Sequence, residues 1–208
     1  MLAGRDISGF SGQLIGPGDE GYDEARGLFN AMIDRRPRLI ARCASAADVA
    51  AVINFARSER VPMSVYGGGH SVTGAAVVED GIVCDLRGLK GIHVDPDART
   101  VRAEGGVTWG EFDAATAPYN LAVTGGRVPG TGIGGLALGS GSGWLERKFG
   151  FTCDNLLAAD VVTADGRHVV ASETENPELF WGIRGGGGNF GVVTAFKFRV
   201  HPLANPML

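Results

Sequence analysis

Glycine occupies 34 of the 208 positions of this chain, more than twice the roughly 7% of ordinary usage. Eighteen of the 34 fall in three short stretches, 66–74, 125–143 and 185–191. There is no repeating Gly-x-y period, so the excess is not collagen-like. A hydrophobic content of 44% and a mean hydropathy of +0.08 exclude a disordered linker. The glycines therefore belong to a folded protein whose backbone approaches something closely at three places, because a residue without a β-carbon admits such an approach.

A net charge of −4 and an isoelectric point near 5.6 give no basic footprint for nucleic acid. Cys43, Cys84 and Cys153 are odd in number and widely spaced, a pattern that fits neither a disulfide framework nor a zinc site. No basic segment leads into an apolar one at the start, and no apolar run reaches about 18 residues. A soluble chain in a reducing, cytoplasmic setting, without membrane attachment, is the expectation.

Residues 1–20 read as irregular, and a short helix is predicted from Tyr22 to about Ile33. Ser45-Ala-Ala-Asp48 is a capping-box pattern, and Val49, Val52, Ile53 and Ala56 follow at helical spacing, predicting an amphipathic helix of about 14 residues. Met63–Tyr66 reads as a buried strand leading into the first glycine stretch. Short strands are predicted at 81–86, 92–94 and 100–103, and Thr108-Trp-Gly-Glu111 opens a helix to about Ala117. Strands at 156–163 and 168–171 flank an Asp165-Gly166 hairpin turn. Asn176-Pro177 caps a short helix through Phe180, and the last strand is 191–200. The pattern is α+β, lacks the regular spacing of a doubly wound sheet, and contains no linker or repeat. One domain of two subdomains around one ligand is the expected organisation.

The first stretch, Tyr66-Gly67-Gly68-Gly69-His70-Ser71-Val-Thr-Gly74, follows a strand. Consecutive bare amides there can converge on an anion such as a diphosphate. A plain tight turn would need neither the imidazole nor the hydroxyl at its exit. The central stretch places Ile133, Leu136 and Leu138 among nine glycines, which describes backbone laid against a flat, extended surface such as a planar ring system. It has neither Rossmann spacing nor a Gly-Lys-Ser/Thr sequence, so the nucleotide-binding motifs built on those are excluded. The third stretch, Arg184-Gly-Gly-Gly-Gly-Asn189-Phe190-Gly191, is a turn into a strand. One long ligand touching all three stretches explains them better than three separate turns.

Together with Arg36-Pro-Arg-Leu-Ile-Ala-Arg-Cys43, Arg147-Lys148-Phe-Gly150, Asp154-Asn155-Leu, Val162-Thr-Ala-Asp-Gly166 and Leu179-Phe-Trp-Gly-Ile-Arg184, these stretches run in the same order over residues 10–203. In this the chain resembles the berberine bridge enzyme-like FAD-linked oxidoreductases of the vanillyl-alcohol oxidase/PCMH flavoprotein superfamily. The resemblance implies a PCMH-type FAD-binding domain over 36–208, made of two α+β subdomains enclosing an extended FAD, with residues 1–35 packing on it.

Carried over by motif, the resemblance assigns Gly67, Gly68, Gly69, His70, Ser71 and Gly74 to the pyrophosphate loop. His70 is then the site of an 8α-N-histidyl bond to the flavin, a link that makes the flavin a stronger oxidant. Many relatives add a cysteinyl bond just before the proline of the central loop. Here Val128 precedes Pro129, so no second bond is expected. Thr131 falls at the position implied to control oxygen access, Gly130 stands where bacterial relatives often carry His, and Tyr66 replaces a frequent Arg. Gly134, Gly135, Gly139, Ser140, Gly143 and Trp144 are implied to lie along the flavin and its phosphates. Asn155 lies close behind, and Val193 is expected to hydrogen-bond the cofactor through its backbone.

The family also implies a second domain after His201-Pro202 that supplies the substrate pocket and catalytic base. The expectation is a chain carrying the FAD-binding half of an oxidoreductase, which takes hydride from an alcohol, sugar or secondary-metabolite substrate and passes electrons to O2 or another acceptor. The alternatives are a non-catalytic flavin-binding module, a subunit completed by another chain or by a homo-oligomer, and, more remotely, a noncovalent FAD reductase of the cell-wall-precursor type.

Overall fold

The structure is a computed structural model that describes residues 6–203. Residues 1–5 and 204–208, the ends of the two expected segments, lie outside the described residues. Strands β1 (Gln13–Ile15), β2 (Leu39–Arg42), β3 (Met63–Tyr66) and β4 (Ile82–Asp85) form one sheet in the order β1-β2-β4-β3. β2, β4 and β3 run parallel and β1 is antiparallel. Helix α1 (Tyr22–Ala25) precedes β2 and helix α2 (Ala46–Glu59) connects β2 to β3. Val49, Val52, Ile53 and Ala56 of α2 pack against Leu39, Ala41, Ile82 and Cys84 of the sheet.

A second sheet is antiparallel throughout. Its strands are β5 (Ile92–Asp95), β6 (Thr100–Glu104), β8 (Leu156–Val162), β9 (His168–Ser172) and β10 (Val192–Arg199), in the order β5-β6-β10-β8-β9. In β10, Phe196 and Phe198 point into the core while Lys197 and Arg199 face out, the period of two that a one-sided sheet requires. Helix α3 (Trp109–Thr116) packs Trp109 and Phe112 against Phe198. Three short helices, α4 (Ile133–Leu138), α5 (Glu146–Phe149) and α6 (Pro177–Ile183), complete this half. A two-stranded ribbon pairs β7 (Leu121–Ala122) with β11 (His201–Pro202). Val162 and Val192 of the second sheet belong to the core of the first half, so the two α+β subdomains share one packed boundary. Among the described residues no helix is long and apolar enough to cross a membrane.

Both capping boxes form, with Ser45 and Asp48 on α2 and Thr108 and Glu111 on α3. The hairpin at Asp165-Gly166 forms as well, with Gly166 at φ 82. The expected helix from Tyr22 to Ile33 stops at Ala25, because residues 26–35 are drawn onto the first glycine loop by hydrogen bonds described below. Asn176 occupies the position before α6 at φ 49, but its side chain donates to Val170 O instead of capping the helix. The widely spaced Cys43 and Cys84 come together in the core, with sulfurs 3.8 Å apart and unbonded.

Asp48 also ties the early chain to α2. Its buried carboxylate accepts from Ser11 N at 2.7 Å, Ser11 Oγ at 3.0 Å, Ala44 N at 2.8 Å and Ser45 N at 3.1 Å. Burial pushes the carboxyl upward, but these donors outweigh it and hold its pKa below the ordinary range. A carboxylate so depressed stabilises the fold above its unfolded pKa and loses that contribution as pH falls through the folded value. Asp48→Asn is expected to cost about 1–3 kcal/mol in urea unfolding at neutral pH, with the gap to wild type closing on acidification. Equal stabilities at neutral pH would contradict this role.

Candidate functional site

The first glycine loop leaves β3 at Tyr66 and is held from below by side chains of the first subdomain. The carboxylate of Asp85, fully buried on β4, accepts from Arg42 Nε at 3.0 Å and from Arg87 Nε and Nη2, both at 2.9 Å. The Arg87 guanidinium lies over the Tyr66 ring, 3.9 Å from its centroid. Burial pushes the Tyr66 phenol upward against the opposing pull of Arg87, so the hydroxyl keeps its proton and donates to Gly27 O at 2.6 Å. The same hydroxyl occupies the space that a β-carbon on Gly69 would take, and Gly69 has φ 69. Tyr66 is therefore a support of the loop.

Residues 26–35 clamp this loop from the other side. Phe29 N donates to Gly69 O at 3.2 Å. Arg35 Nη1 donates to Gly74 O at 2.8 Å and Val77 O at 2.9 Å, and its Nη2 to Thr73 O at 3.2 Å. Ile33 fills the space beside Gly74. Ser71 Oγ pairs with Thr73 Oγ1 at 3.1 Å and accepts from Ala75 N at 3.3 Å. His70 is partly exposed at the exit, its ring stacked on that of Phe29.

The central stretch runs beside the start of α3, with Trp109 N donating to Thr131 O and Gly110 N to Pro129 O, both at 2.9 Å. Val128 and Pro129 are exposed and Thr131 partly buried, in a turn closed by Thr131 N to Val128 O at 3.0 Å. The β-carbon position of Gly130 points toward His70 Nε2, 3.6 Å away. A β-carbon on Gly132 would lie 2.5 Å from Gly68 N, and one on Gly68 would overlap the Gly132 amide. The first two glycine stretches thus touch backbone to backbone at the start of α4.

Beyond that contact, Gly134 packs on Phe196, whereas Gly135 is exposed and, among the described residues, nothing outside its own helix and chain neighbours lies within 4 Å of its β-carbon position. At the far end of α4, Gly139 is exposed and Ser140 adopts φ 80. Leu138 O accepts from Gly185 N at 3.0 Å, and Ser140 Oγ lies 3.2 Å from the β-carbon position of Gly185. The third glycine stretch therefore meets the second about 9 Å along the helix from where the first does. The three stretches, distant in sequence, converge around α4.

The remaining expected site residues divide. Gly143 is buried, and a β-carbon there would overlap Gly125 O. Trp144 is 76% exposed, with Arg127 over its ring at 5.2 Å. Val193 is buried in the β10 ladder opposite Val161, just before a register shift whose Thr194 carbonyl accepts from Gly105 N at 2.8 Å. The side chain of Asn155 is committed to the protein. Its Nδ2 donates to Phe149 O and Phe151 O at 2.9 Å, and its Oδ1 lies 2.6 Å from His201 Nε2. With both amide protons used on carbonyls, Oδ1 is the acceptor and His201 donates from Nε2. Burial, then Arg199 and Arg99, hold the His201 pKa below its ordinary value. Asn155 thus anchors the ribbon strand β11 through its side-chain amide.

Gly105, Gly106 and Arg184, to which the sequence motifs assign no site role, also contribute. Gly105 lies between the Val193 carbonyl and Gly67, and Gly106 lies against the Leu86 carbonyl. A lone Gly-Gly pair of this kind after a strand reads as a turn in sequence. Arg184 is the other contributor. Its guanidinium stands over Phe180 at 4.8 Å, and its buried Nε has no hydrogen-bond partner among the described residues. A buried donor of that kind costs free energy unless something accepts from it.

These observations fit a long dinucleotide. The open space over Gly135 admits a flat ring, the bare backbone at Gly68 and Gly132 admits close approach, and the unpaired Arg184 Nε offers a donor to an anionic group. Residues 37–172 match the family model described as FAD binding domain, and the chain belongs to that family, the FAD-binding half of the FAD-linked oxidoreductases. It is 42% identical over 197 residues to (R)-6-hydroxynicotine oxidase of Paenarthrobacter nicotinovorans, covering 95% of this chain and 43% of that protein. The uncharacterized FAD-linked oxidoreductase YgaK of Bacillus subtilis is 34% identical, over 93% of this chain and 44% of its own length. Among solved structures, 6-hydroxy-D-nicotine oxidase from Arthrobacter nicotinovorans superposes with a TM-score of 0.91 at 41% identity, covering 93% of this chain and 43% of that one. Glucooligosaccharide oxidase from Acremonium strictum, described with a 6-S-cysteinyl, 8α-N1-histidyl FAD, superposes with a TM-score of 0.86 at 34% identity, covering 91% and 40%. The chain thus spans less than half the length of these relatives.

Gly68→Ala and Gly135→Ala separate backbone support from cofactor contact. Gly68→Ala is expected to lower stability in urea unfolding through the collision with Gly132. Gly135→Ala is expected to raise it by up to about 1 kcal/mol, as alanine for glycine in a helix does, while weakening FAD binding in a fluorescence-quenching titration. Unchanged FAD affinity in Gly135→Ala would show that the open space over α4 is not where the cofactor lies.

Proposed function

We propose that the chain holds the FAD of an oxidoreductase that removes hydride from a small-molecule alcohol, sugar or secondary metabolite. The observation that carries this reading is the convergence of the three glycine stretches at the two ends of α4, on either side of the exposed Gly135. FAD, when bound, supplies a two-electron acceptor for hydride that O2 or another acceptor reoxidises.

Each part of the chain has a task in that reading. Gly67, Gly68 and Gly69 present bare backbone to the pyrophosphate, kept in shape by Tyr66 and the 26–35 clamp. Gly135, Gly139 and Ser140 line the long axis of the cofactor, and Arg184 gives its donor to an anionic part of it. Val128 and Thr131 belong to the turn whose Gly130 faces His70, where the reactive edge of the flavin would lie. His70 forms the 8α-N-histidyl bond. Val128 carries no sulfur, so no cysteinyl bond accompanies it. The relatives' greater length supports a substrate site built from residues outside this chain, and a non-catalytic flavin-binding role is the outcome if no such site exists.

Acid precipitation of the yellow protein tests the attachment. Colour is expected to stay with the pellet of wild type and to move to the supernatant in His70→Ala. Wild-type protein that takes up no FAD would overturn the cofactor assignment. Flavin released by wild type would overturn the covalent bond alone.

A further inference from the structure

We propose that Phe29 is a positioning residue for His70, fixing the plane of its imidazole for bonding to the flavin; this rests on the reading of His70 as the attachment site. The two rings lie 4.3 Å apart, 18° from parallel, although Phe29 is 72% exposed. An aromatic side chain that exposed gains little from burial. Among the described residues its ring partner is His70, in the first glycine loop.

The geometry of His70 gives that contact its meaning. Among the described residues no backbone or side-chain group hydrogen-bonds either ring nitrogen, so no protein hydrogen bond fixes how the imidazole is turned. The stack on Phe29 is the directional contact it makes. Stacking covers one face and leaves the edge free, and the nitrogen lone pair that must reach a carbon lies in the ring plane at that edge. The Nε2 edge faces Gly130, where the absence of a side chain leaves the approach open.

Phe29 is itself held by backbone. Its N–H donates to Gly69 O, one residue before His70. Tyr66 Oη on Gly27 O and Arg35 on the carbonyls of Thr73, Gly74 and Val77 fix the segment on either side. Both rings thus sit on one hydrogen-bonded unit, and the orientation of the imidazole is set before the cofactor arrives, which favours a bond-forming step that depends on alignment. In the net step, one imidazole N–H and one C–H of the flavin C8 methyl are replaced by an N–C bond. The two electrons and two protons released pass to dioxygen, giving hydrogen peroxide.

The test uses the 208-residue chain incubated with FAD in air, and follows covalent flavin as fluorescence retained by the denatured band on a gel. Phe29→Leu, which keeps apolar bulk without a flat face, is expected to slow attachment about three- to tenfold at saturating FAD, the range a ring stack supplies. Phe29→Tyr is expected to restore the wild-type rate, and His70→Ala to form no adduct. Equal rates for Phe29→Leu and wild type, or a Phe29→Tyr as slow as Phe29→Leu, would overturn the proposal. Flavin fully released by wild type as well would overturn the attachment reading on which it rests. A second measurement needs no cofactor: the carbon-bound ring protons of His70 are expected upfield in the NMR spectra of wild type and Phe29→Tyr relative to Phe29→Leu. Coincident shifts would remove the stack, and the proposal with it, whatever the flavin does.

Discussion

The contact between Gly68 and Gly132 joins the two halves of this molecule. Each glycine occupies the space that a β-carbon on the other would need, so the peptide backbones of the first and second subdomains meet with nothing between them. The start of α4 is fixed by that contact relative to the end of β3, and the cleft above it acquires walls of backbone amide. The spacing is one that no other residue type reaches without a shift of one chain or the other. Gly67 beside Gly105 extends the same glycine-on-glycine seam.

Support for the seam comes from an unusually polar source. Asp85 is buried and shared by Arg42 and Arg87. Such a cluster adds little net stability, but removing one member leaves a buried charge without its partner. Arg87 covers Tyr66, Tyr66 holds Gly27 and crowds Gly69, and the 26–35 segment returns to clamp the loop. A line of contacts therefore runs from the sheet core to the residue before His70. Tyr66 serves that line twice, stacking under Arg87 and donating to Gly27 O.

The sequence disclosed those features whose signal is local. The capping boxes at Ser45 and Thr108 and the Asp165-Gly166 turn are readable because each is completed within a few residues, and each is present. The glycine stretches were readable as close approaches, but not as partners of one another, because what Gly68 touches lies 64 positions away at Gly132. Helix α4 was hidden because four glycines between 130 and 135 mask its Ile133, Leu136 and Leu138 spacing. The 22–33 helix was overread, since Phe29 and Arg35 are recruited by the first loop through contacts that no pattern within the segment announces. The partners of the Asn155 amide, Phe149, Phe151 and His201, were equally hidden, because His201 lies 46 positions away.

The central claim is that the three glycine stretches form one continuous cradle for one cofactor. Hydrogen–deuterium exchange of the chain with and without FAD tests it directly. Protection is expected to appear together in 67–74, 130–143 and 184–191, with a single FAD concentration dependence for all three. Protection confined to one stretch, or midpoints that differ among the three, would contradict the claim.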